Sequence, residues 1–427
     1  MSSANSQQTA PRMMMYSQDG FGLGHMRRTT SIANQIVRER PDAAILTMAD
    51  SRLGQFFETS ANHDYLKLPS IFKAGPGDWR AVSLPMPFEA VSGMRRELIR
   101  SAVMSYQPHV LLVDHMPHGA MGELLPTLDA LRASGAPTRI VLGLRDILDA
   151  PEVVRRRWDV EGAYEAIERY YDSVLVYGKR EVFDLAEQYG FSASVRERIQ
   201  YTGYVCTPQT ARYTARARAK YIPSGDTQTK LIVAMAGGGA DAYPMMRAML
   251  DALPAISAQQ KVYLAIVAGP FMPAEQRRDL EARSRGLPAR VSISVNDPIS
   301  YIEAADLTVA MAGYNTTMEI LRSGKRAVLI PRRGPSAEQR MRARLFAERG
   351  WVEMIDPDEL ESANVAAQVC AALDRGPRMS AETRPDVDGI NGSARMILEM
   401  MQSAAEEASM LDTLELGLRL PALTLPA

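Results

Sequence analysis

The feature that most constrains this chain is an opening it uses twice: an apolar run, a cluster of glycines, then a segment with helical periodicity. Met13–Ser17 leads through Gly20, Gly22 and Gly24 into a helical stretch from about Met26 to Arg40. Leu231–Ala236 leads through Gly237, Gly238 and Gly239 into another from about Tyr243 to Leu253. Short β-rich runs then alternate with helical ones in both halves. The first half has them at Ala43–Met48, Val110–Val113, Arg139–Leu142 and Ser173–Val176. The second has them at Tyr263–Val267, Val291–Ser294, Leu307–Ala310 and Ala327–Ile330. This alternation predicts an α/β chain of two Rossmann-like, doubly wound parallel-sheet domains. The length of 427 residues fits two cores better than one.

The expected division is a polar, disordered extension over 1–12, a first domain over 13–205 and a linker over 206–229, where Pro, Gly, Ser and Thr accumulate. A second domain follows over 230–392, then a helix and loose tail over 393–427. With 49 basic against 50 acidic residues there is no global attraction to nucleic acid, and none is expected as a partner. Basic clusters at Arg155–Arg157, Arg212–Lys220 and Arg332–Arg333 read as solvated surface or as contacts to phosphate or anionic lipid. Two distant cysteines, Cys206 and Cys370, argue against a disulfide framework and fit a reducing cytoplasm. No apolar run approaches the length of a membrane span, and peripheral contact with the inner face of a membrane stays compatible with the sequence.

Polar groups at the carboxyl ends of parallel strands line the ligand crevice of such sheets, and three clusters stand there in the first half. His25 opens a helix after the glycines, where a near-neutral imidazole suits general-base work; the bland alternative is a capping or packing histidine. Asp114, His115 and His118 follow the apolar run Leu111–Val113, as catalytic or acceptor-side groups or as partners in loop hydrogen bonds. Confined to one short loop, they make a poor metal set, and no metal is expected. Arg145 follows the next run and either touches ligand or pairs with its neighbour Asp146. A dinucleotide reading of Gly20, Gly22 and Gly24 fails at the third small position, which His25 fills.

In the second half, the three consecutive glycines suit a diphosphate, since backbone N–H groups without a Cβ can approach an anion at a helix start; a tight turn is the alternative. No Gly-Lys-Ser/Thr follows, so this is not a Walker loop. The run from Asp306 to Ala343 reads as strand, small turn, helix, strand, loop and helix. Glu319 lies in its first helix among apolar neighbours, and a carboxylate there can accept two hydroxyls of a ribose. Thr316 offers a hydroxyl and an N–H at the helix start, and Glu338 and Gln339 open the following helix. Met245, Met246 and Met249 read as core filler.

These motifs resemble the family of the peptidoglycan N-acetylglucosaminyltransferase that acts on a lipid-linked precursor, with its bacterial relatives of undefined substrate. The family's Gly, small, x, Thr, x, x, Glu pattern matches Gly313, Tyr314, Asn315, Thr316, Thr317, Met318 and Glu319, with tyrosine in the small position. Its donor-sugar glutamine pair falls on Glu338 and Gln339, its Gly-Gly-Ser loop on Gly237, Gly238 and Gly239, and its Gly-Gly-His on Leu23, Gly24 and His25. The string Gly22-x-Gly24-His25-x-x-Arg28 is also similar to a related hydrolase of nucleotide-linked sugars.

The resemblance implies a GT-B fold and an inverting, Leloir-type hexosyl- or N-acetylhexosaminyltransferase using a nucleoside-diphosphate sugar, UDP-linked by analogy, in cell-envelope or polysaccharide biosynthesis. The nucleotide sugar is then a co-substrate and no cofactor is implied. The acceptor is a sugar, lipid-linked or small-molecule hydroxyl. His25 and Asp114 would be catalytic, and Gly22, Gly24, His115, His118 and Arg145 would face the acceptor. Gly237–Gly239, Gly313, Asn315, Thr316, Glu319, Glu338 and Gln339 would hold the donor, with Arg332 and Arg333 at its phosphates. A nucleotide-sugar hydrolase, an epimerase and a non-catalytic nucleotide-sugar binder are the rival readings.

Overall fold

The computed structural model describes residues 10–18, 24–51, 59–75, 78–207, 211–379, 382 and 384–418. The extension 1–9, Gly20 and Gly22 lie outside them. The first half contains β1 (Arg12–Ser17), α1 (Gly24–Glu39), β2 (Ala44–Ala49), β3 (His63–Lys67), β4 (Ile71–Gly75), β5 (Asp78–Ala81), α2 (Phe88–Tyr106), β6 (Val110–Asp114), α3 (Leu125–Ala133) and β7 (Arg139–Arg145). It continues with α4 (Pro151–Glu161), α5 (Ala163–Tyr170), β8 (Ser173–Tyr177), α6 (Leu185–Gln188), α7 (Ala193–Arg196) and β9 (Ile199–Tyr201). The second half contains α8 (Thr214–Ala219), β10 (Lys230–Met235), α9 (Tyr243–Gln259), β11 (Val262–Val267), α10 (Ala274–Arg283), β12 (Ala289–Ser292), α11 (Pro298–Ala304) and β13 (Leu307–Ala310). After these come α12 (Tyr314–Ser323), β14 (Ala327–Leu329), α13 (Glu338–Glu348), β15 (Glu353–Met354), α14 (Ser362–Asp374) and α15 (Gly389–Leu418).

Two parallel sheets result, in the orders β3-β2-β1-β6-β7-β8-β9 and β12-β11-β10-β13-β14-β15. Their central strands are apolar on both faces because helices cover both. Along β1, Met13 and Met15 enter one core while Met14 and Tyr16 enter another. β6 divides Val110 and Leu112 from Leu111 and Val113 in the same way. In the second sheet Leu231, Val233 and Met235 join the core of Met13 and Met15, so one apolar body runs through both halves.

That shared core is completed by α15. Ile390, Ala394, Ile397 and Met401, spaced along one face of the helix, pack with Ile32, Ala33 and Ile36 of α1. The chain's last described helix therefore covers the first sheet, and Arg139 on β7 bonds Glu407 at 2.6 Å. Within 206–229, α8 packs on α11 through Ala217, and Arg218 holds Asp306 at 2.9 Å.

Every strand read from the sequence is present, with ends that differ by at most three residues, the largest difference being β7, which runs on from Leu142 to Arg145. Five strands carry no sequence signal. β3 is a half-polar edge strand, β9 and β15 have three and two residues, and β4–β5 is an antiparallel hairpin apart from both main sheets.

Candidate active site

β1 and β6 are neighbouring parallel strands, with Ser17 opposite Asp114, so the start of α1 and the end of β6 reach the same sheet edge. There His25 Nδ1 lies 2.5 Å from Asp114 Oδ2. One helical turn on, Arg28 Nη2 donates to both oxygens of Asp114 at 2.7 and 2.8 Å. Burial alone would raise the Asp114 carboxyl, but the Arg28 guanidinium and then His25 outweigh it and hold the group well below the usual carboxylate range. Ionised Asp114 only accepts hydrogen bonds, so Nδ1 of His25 carries the proton and Nε2 is the nitrogen free to take another. The Asp114 side chain is wholly buried and that of His25 is 20% exposed, so the imidazole is the group a substrate can meet.

His115 follows at a φ of 75°, its ring 5.4 Å from that of His25. Burial first, then the nearby charges of Arg145 and His25, push its ionisation far below the usual imidazole range, and its Nδ1 has no hydrogen-bond partner. His118 turns away: its Nδ1 bonds the Gly119 carbonyl at 2.7 Å, and Nε2 lies 3.9 Å from Glu161. It makes the loop contact that its bland reading describes.

The second domain presents the start of α12 to this edge. Asn315 Nδ2 donates to the Gly24 carbonyl at 3.3 Å, directly beside His25. Gly313 is the N-cap of α12, and the Thr316 hydroxyl stands 4.0 Å from where a Cβ on Gly237 would lie. Gly237 therefore borders open space beside α12. Gly238 and Gly239 instead admit a neighbouring loop: a Cβ on Gly239, at φ +84°, would sit 2.0 Å from the Ala268 carbonyl oxygen. For those two glycines tight packing is itself sufficient cause. Glu319, one turn into α12, is buried, and its carboxylate lies 2.7 Å from Arg27 of the first domain. Burial raises its ionisation and Arg27 offsets only part of that.

Tyr314, large where the resembled family is small, begins α12 fully packed. Its hydroxyl donates to the Tyr177 carbonyl and accepts from the Val205 N–H, both at 2.9 Å, which ties α12 to the crossover between domains.

Arg145 and Asp146 do not pair with each other. Arg145 crosses to Glu338 at 3.0 Å, and Asp146 takes two bonds from Arg342 at 2.9 and 2.6 Å. Arg342 also meets Glu338 at 3.0 Å and the Ala312 carbonyl at 2.8 Å. Burial would raise Glu338, but Arg145 and Arg342 together hold it below its ordinary range. Gln339 accepts from the Arg332 N–H at 3.2 Å. Arg332 pairs with Asp241 at 3.0 Å and lines a cavity of about 570 Å³ with Tyr243, Arg247 and Gln276. Arg333 is largely exposed, pairs with Asp358 at 3.1 Å and lines the same cavity.

Sequence reasoning passed over Arg27 and Arg342. Their helical spacings, adjacent to Arg28 and four residues after Glu338, are visible, but Glu319, the partner of Arg27, and Asp146, a partner of Arg342, lie on the other domain. Among the described residues no group of three or more His, Cys, Asp or Glu is arranged to hold a metal, and no helix is long and apolar enough to cross a membrane.

Residues 232–392 match the glycosyltransferase family 28 C-terminal domain. The chain is 24% identical over 397 residues to a UDP-N-acetylglucosamine–N-acetylmuramyl-(pentapeptide) pyrophosphoryl-undecaprenol N-acetylglucosamine transferase of Alkaliphilus oremlandii, covering 90% of this chain and 96% of that one. Its structure is similar to the crystal structure of MurG from Acinetobacter baumannii, with a TM-score of 0.55 and 14% identity over 92% of this chain and 99% of that one. It is also similar to a UDP-glucosyltransferase of Polygonum tinctorium, with a TM-score of 0.58 and 12% identity over 92% and 98%.

Proposed function

We propose that this GT-B chain is a glycosyltransferase that moves a sugar from a UDP-sugar to an acceptor hydroxyl with inversion, a reading supported by the family 28 match over residues 232–392 and by its structural neighbours. The observation that carries the reading is the His25–Asp114 pair at 2.5 Å, set beside Asn315 and the start of α12 on the opposite domain. His25 Nε2 takes the proton of the acceptor hydroxyl as that oxygen bonds the sugar's anomeric carbon. The bond from that carbon to the diphosphate breaks on the opposite face, and the nucleoside diphosphate leaves. Asp114 steadies the imidazolium that forms. The α12 start at Gly313 and Thr316, with Gly237 opposite, offers N–H groups to the departing charge in place of a metal ion. Glu319 receives the ribose, its free oxygen accepting a hydroxyl while Arg27 holds the other. Glu338 and Gln339 stand where the sugar itself is read.

The acceptor is a sugar, lipid-linked or small-molecule hydroxyl entering from the first domain past His115 and Arg145, with the enzyme at the inner face of the membrane. Thermal shift with UDP, GDP, TDP and their sugars, with and without EDTA, tests the donor. A rise of several degrees with UDP compounds that EDTA leaves unchanged is expected, and no rise with any nucleotide overturns the donor site. His25→Ala is expected to lower turnover by about 10²–10⁴-fold while UDP still binds; unchanged turnover overturns the base.

A further inference from the structure

We propose that Arg28 is a positioning residue that sets the protonation balance of the His25–Asp114 pair, and that it is held in place jointly by one tyrosine from each domain. The proposal rests on the reading of His25 as the base.

The Asp114 side chain is buried, and two side chains reach its carboxylate. One is the imidazole it orients; the other is Arg28, whose Nη2 touches both carboxylate oxygens and also stands 3.1 Å from His25 Nδ1. That nitrogen and Nδ1 both carry hydrogens, so their contact is the meeting of two donors on one carboxylate. A lone buried carboxylate would strongly favour the imidazolium beside it. A base needs to start neutral and become cationic only during transfer. With Arg28 in place the carboxylate charge is already balanced, so Asp114 fixes the tautomer and orientation of His25 without protonating it beforehand.

The guanidinium that does this is fully buried. Its carbon lies 5.2 Å from the ring centre of Tyr177, which ends β8 of the first domain, and 5.9 Å from that of Tyr314, which begins α12 of the second. The two tyrosines are themselves joined by the bond from the Tyr314 hydroxyl to the Tyr177 carbonyl. Arg28 thus sits in a slot that exists only when the domains stand as they do here, and planar stacking with a two-oxygen reach is beyond a lysine. The neighbouring charged and titratable groups are Asp114 on β6, His115 after it, Tyr177 on β8, Tyr314 on α12 and Arg342 on α13, which lies 5.5 Å from the other side of the Tyr314 ring. The Arg27–Glu319 pair and Arg145 with Asp146 stand around them.

The test is the titration of the His25 ring protons by NMR in the full chain, from about pH 5 to 9, with signals assigned through His25→Ala. In Arg28→Gln the midpoint is expected to rise by about one pH unit, since the carboxylate loses its counter-charge. In Arg28→Lys it is expected to stay with the parent. Where turnover is measured, kcat/KM of the Gln variant should fall about tenfold further at pH 6 than at pH 8. A midpoint in Arg28→Gln equal to that of the parent, or a loss uniform across pH, overturns the proposal. If Arg28→Gln does not fold, Arg28→Met decides by the same titration: a midpoint raised by about one pH unit supports the proposal, and a parental midpoint overturns it. The NMR reading needs no substrate, so a failure to find glycosyl transfer is distinguishable from a failure of this inference.

Discussion

Arg27, on the helix that carries His25, places its guanidinium 2.7 Å from the buried carboxylate of Glu319 on the other domain. One oxygen of Glu319 is thus spoken for by the protein, and the proposed ribose contact would use the other. Replacing the carboxylate by an amide removes the charge that strengthens both contacts. Glu319→Gln is expected to weaken UDP binding by about 10–100-fold, corresponding to one hydrogen bond to a charged group. Isothermal titration with UDP measures it, and parental affinity would take Glu319 out of the nucleotide site.

Arg342 is completely buried and serves Asp146, Glu338 and the Ala312 carbonyl at once. Arg342→Met fills a similar space but leaves buried Asp146 without its cation and Glu338 with Arg145 alone. The expected cost is about 3–5 kcal/mol in unfolding by urea. Coupling across the domains gives a second readout: the double variant Arg342→Met with Asp146→Asn should recover part of the loss, since it removes one stranded charge together with its partner.

The glycine loop after β10 separates packing from ligand contact. Gly239→Ala pushes a Cβ into the Ala268 carbonyl at a positive φ, and is expected to give little folded protein. Gly237→Ala meets only the distant Thr316 hydroxyl and is expected to fold with a melting temperature near the parent's. If Gly237 borders the diphosphate, that same alanine should weaken UDP-sugar binding; a variant that binds as the parent does assigns the loop to packing alone.

His63 makes the first domain sensitive to mild acid. Its ring bonds the Thr47 hydroxyl at 2.8 Å, and burial, opposed by Asp64, holds its ionisation down to about 4. Between there and the unfolded value near 6.5 the unfolded chain binds a proton that the native chain refuses, so stability rises with pH through that window and is lost as pH falls through it. The loss from pH 7 to below 4 is expected to reach about 3 kcal/mol. Urea midpoints across that range should fall more steeply in the parent than in His63→Gln.

The sheet strands were legible because parallel strands covered on both faces are apolar throughout, as Val110–Val113 and Leu231–Met235 are. His25 was legible because a strand, glycines and a helix leave few places for a histidine except the crevice. What the sequence hides is pairing across the cleft. Nothing in the chain near Glu338 announces Arg145, nearly two hundred residues earlier, and Glu319 gives no sign of Arg27. Tyr314 reads as an oversized residue in a small position until its hydroxyl is seen between Tyr177 and Val205. Short elements such as β9 and β15 exist because a neighbour offers an edge, and local propensity says nothing of that.

Because Ile390, Ala394, Ile397 and Met401 of α15 close over Ile32 and Ile36, the first domain is finished by a helix that follows the whole second domain in the chain. On the ribosome, the sheet formed by residues 12–201 emerges with one apolar flank bare and keeps it so while the whole second domain is translated. Synthesis runs from the amino end, but this flank is covered by a helix made after the second domain, so the nascent protein carries a sticky surface while that domain is translated.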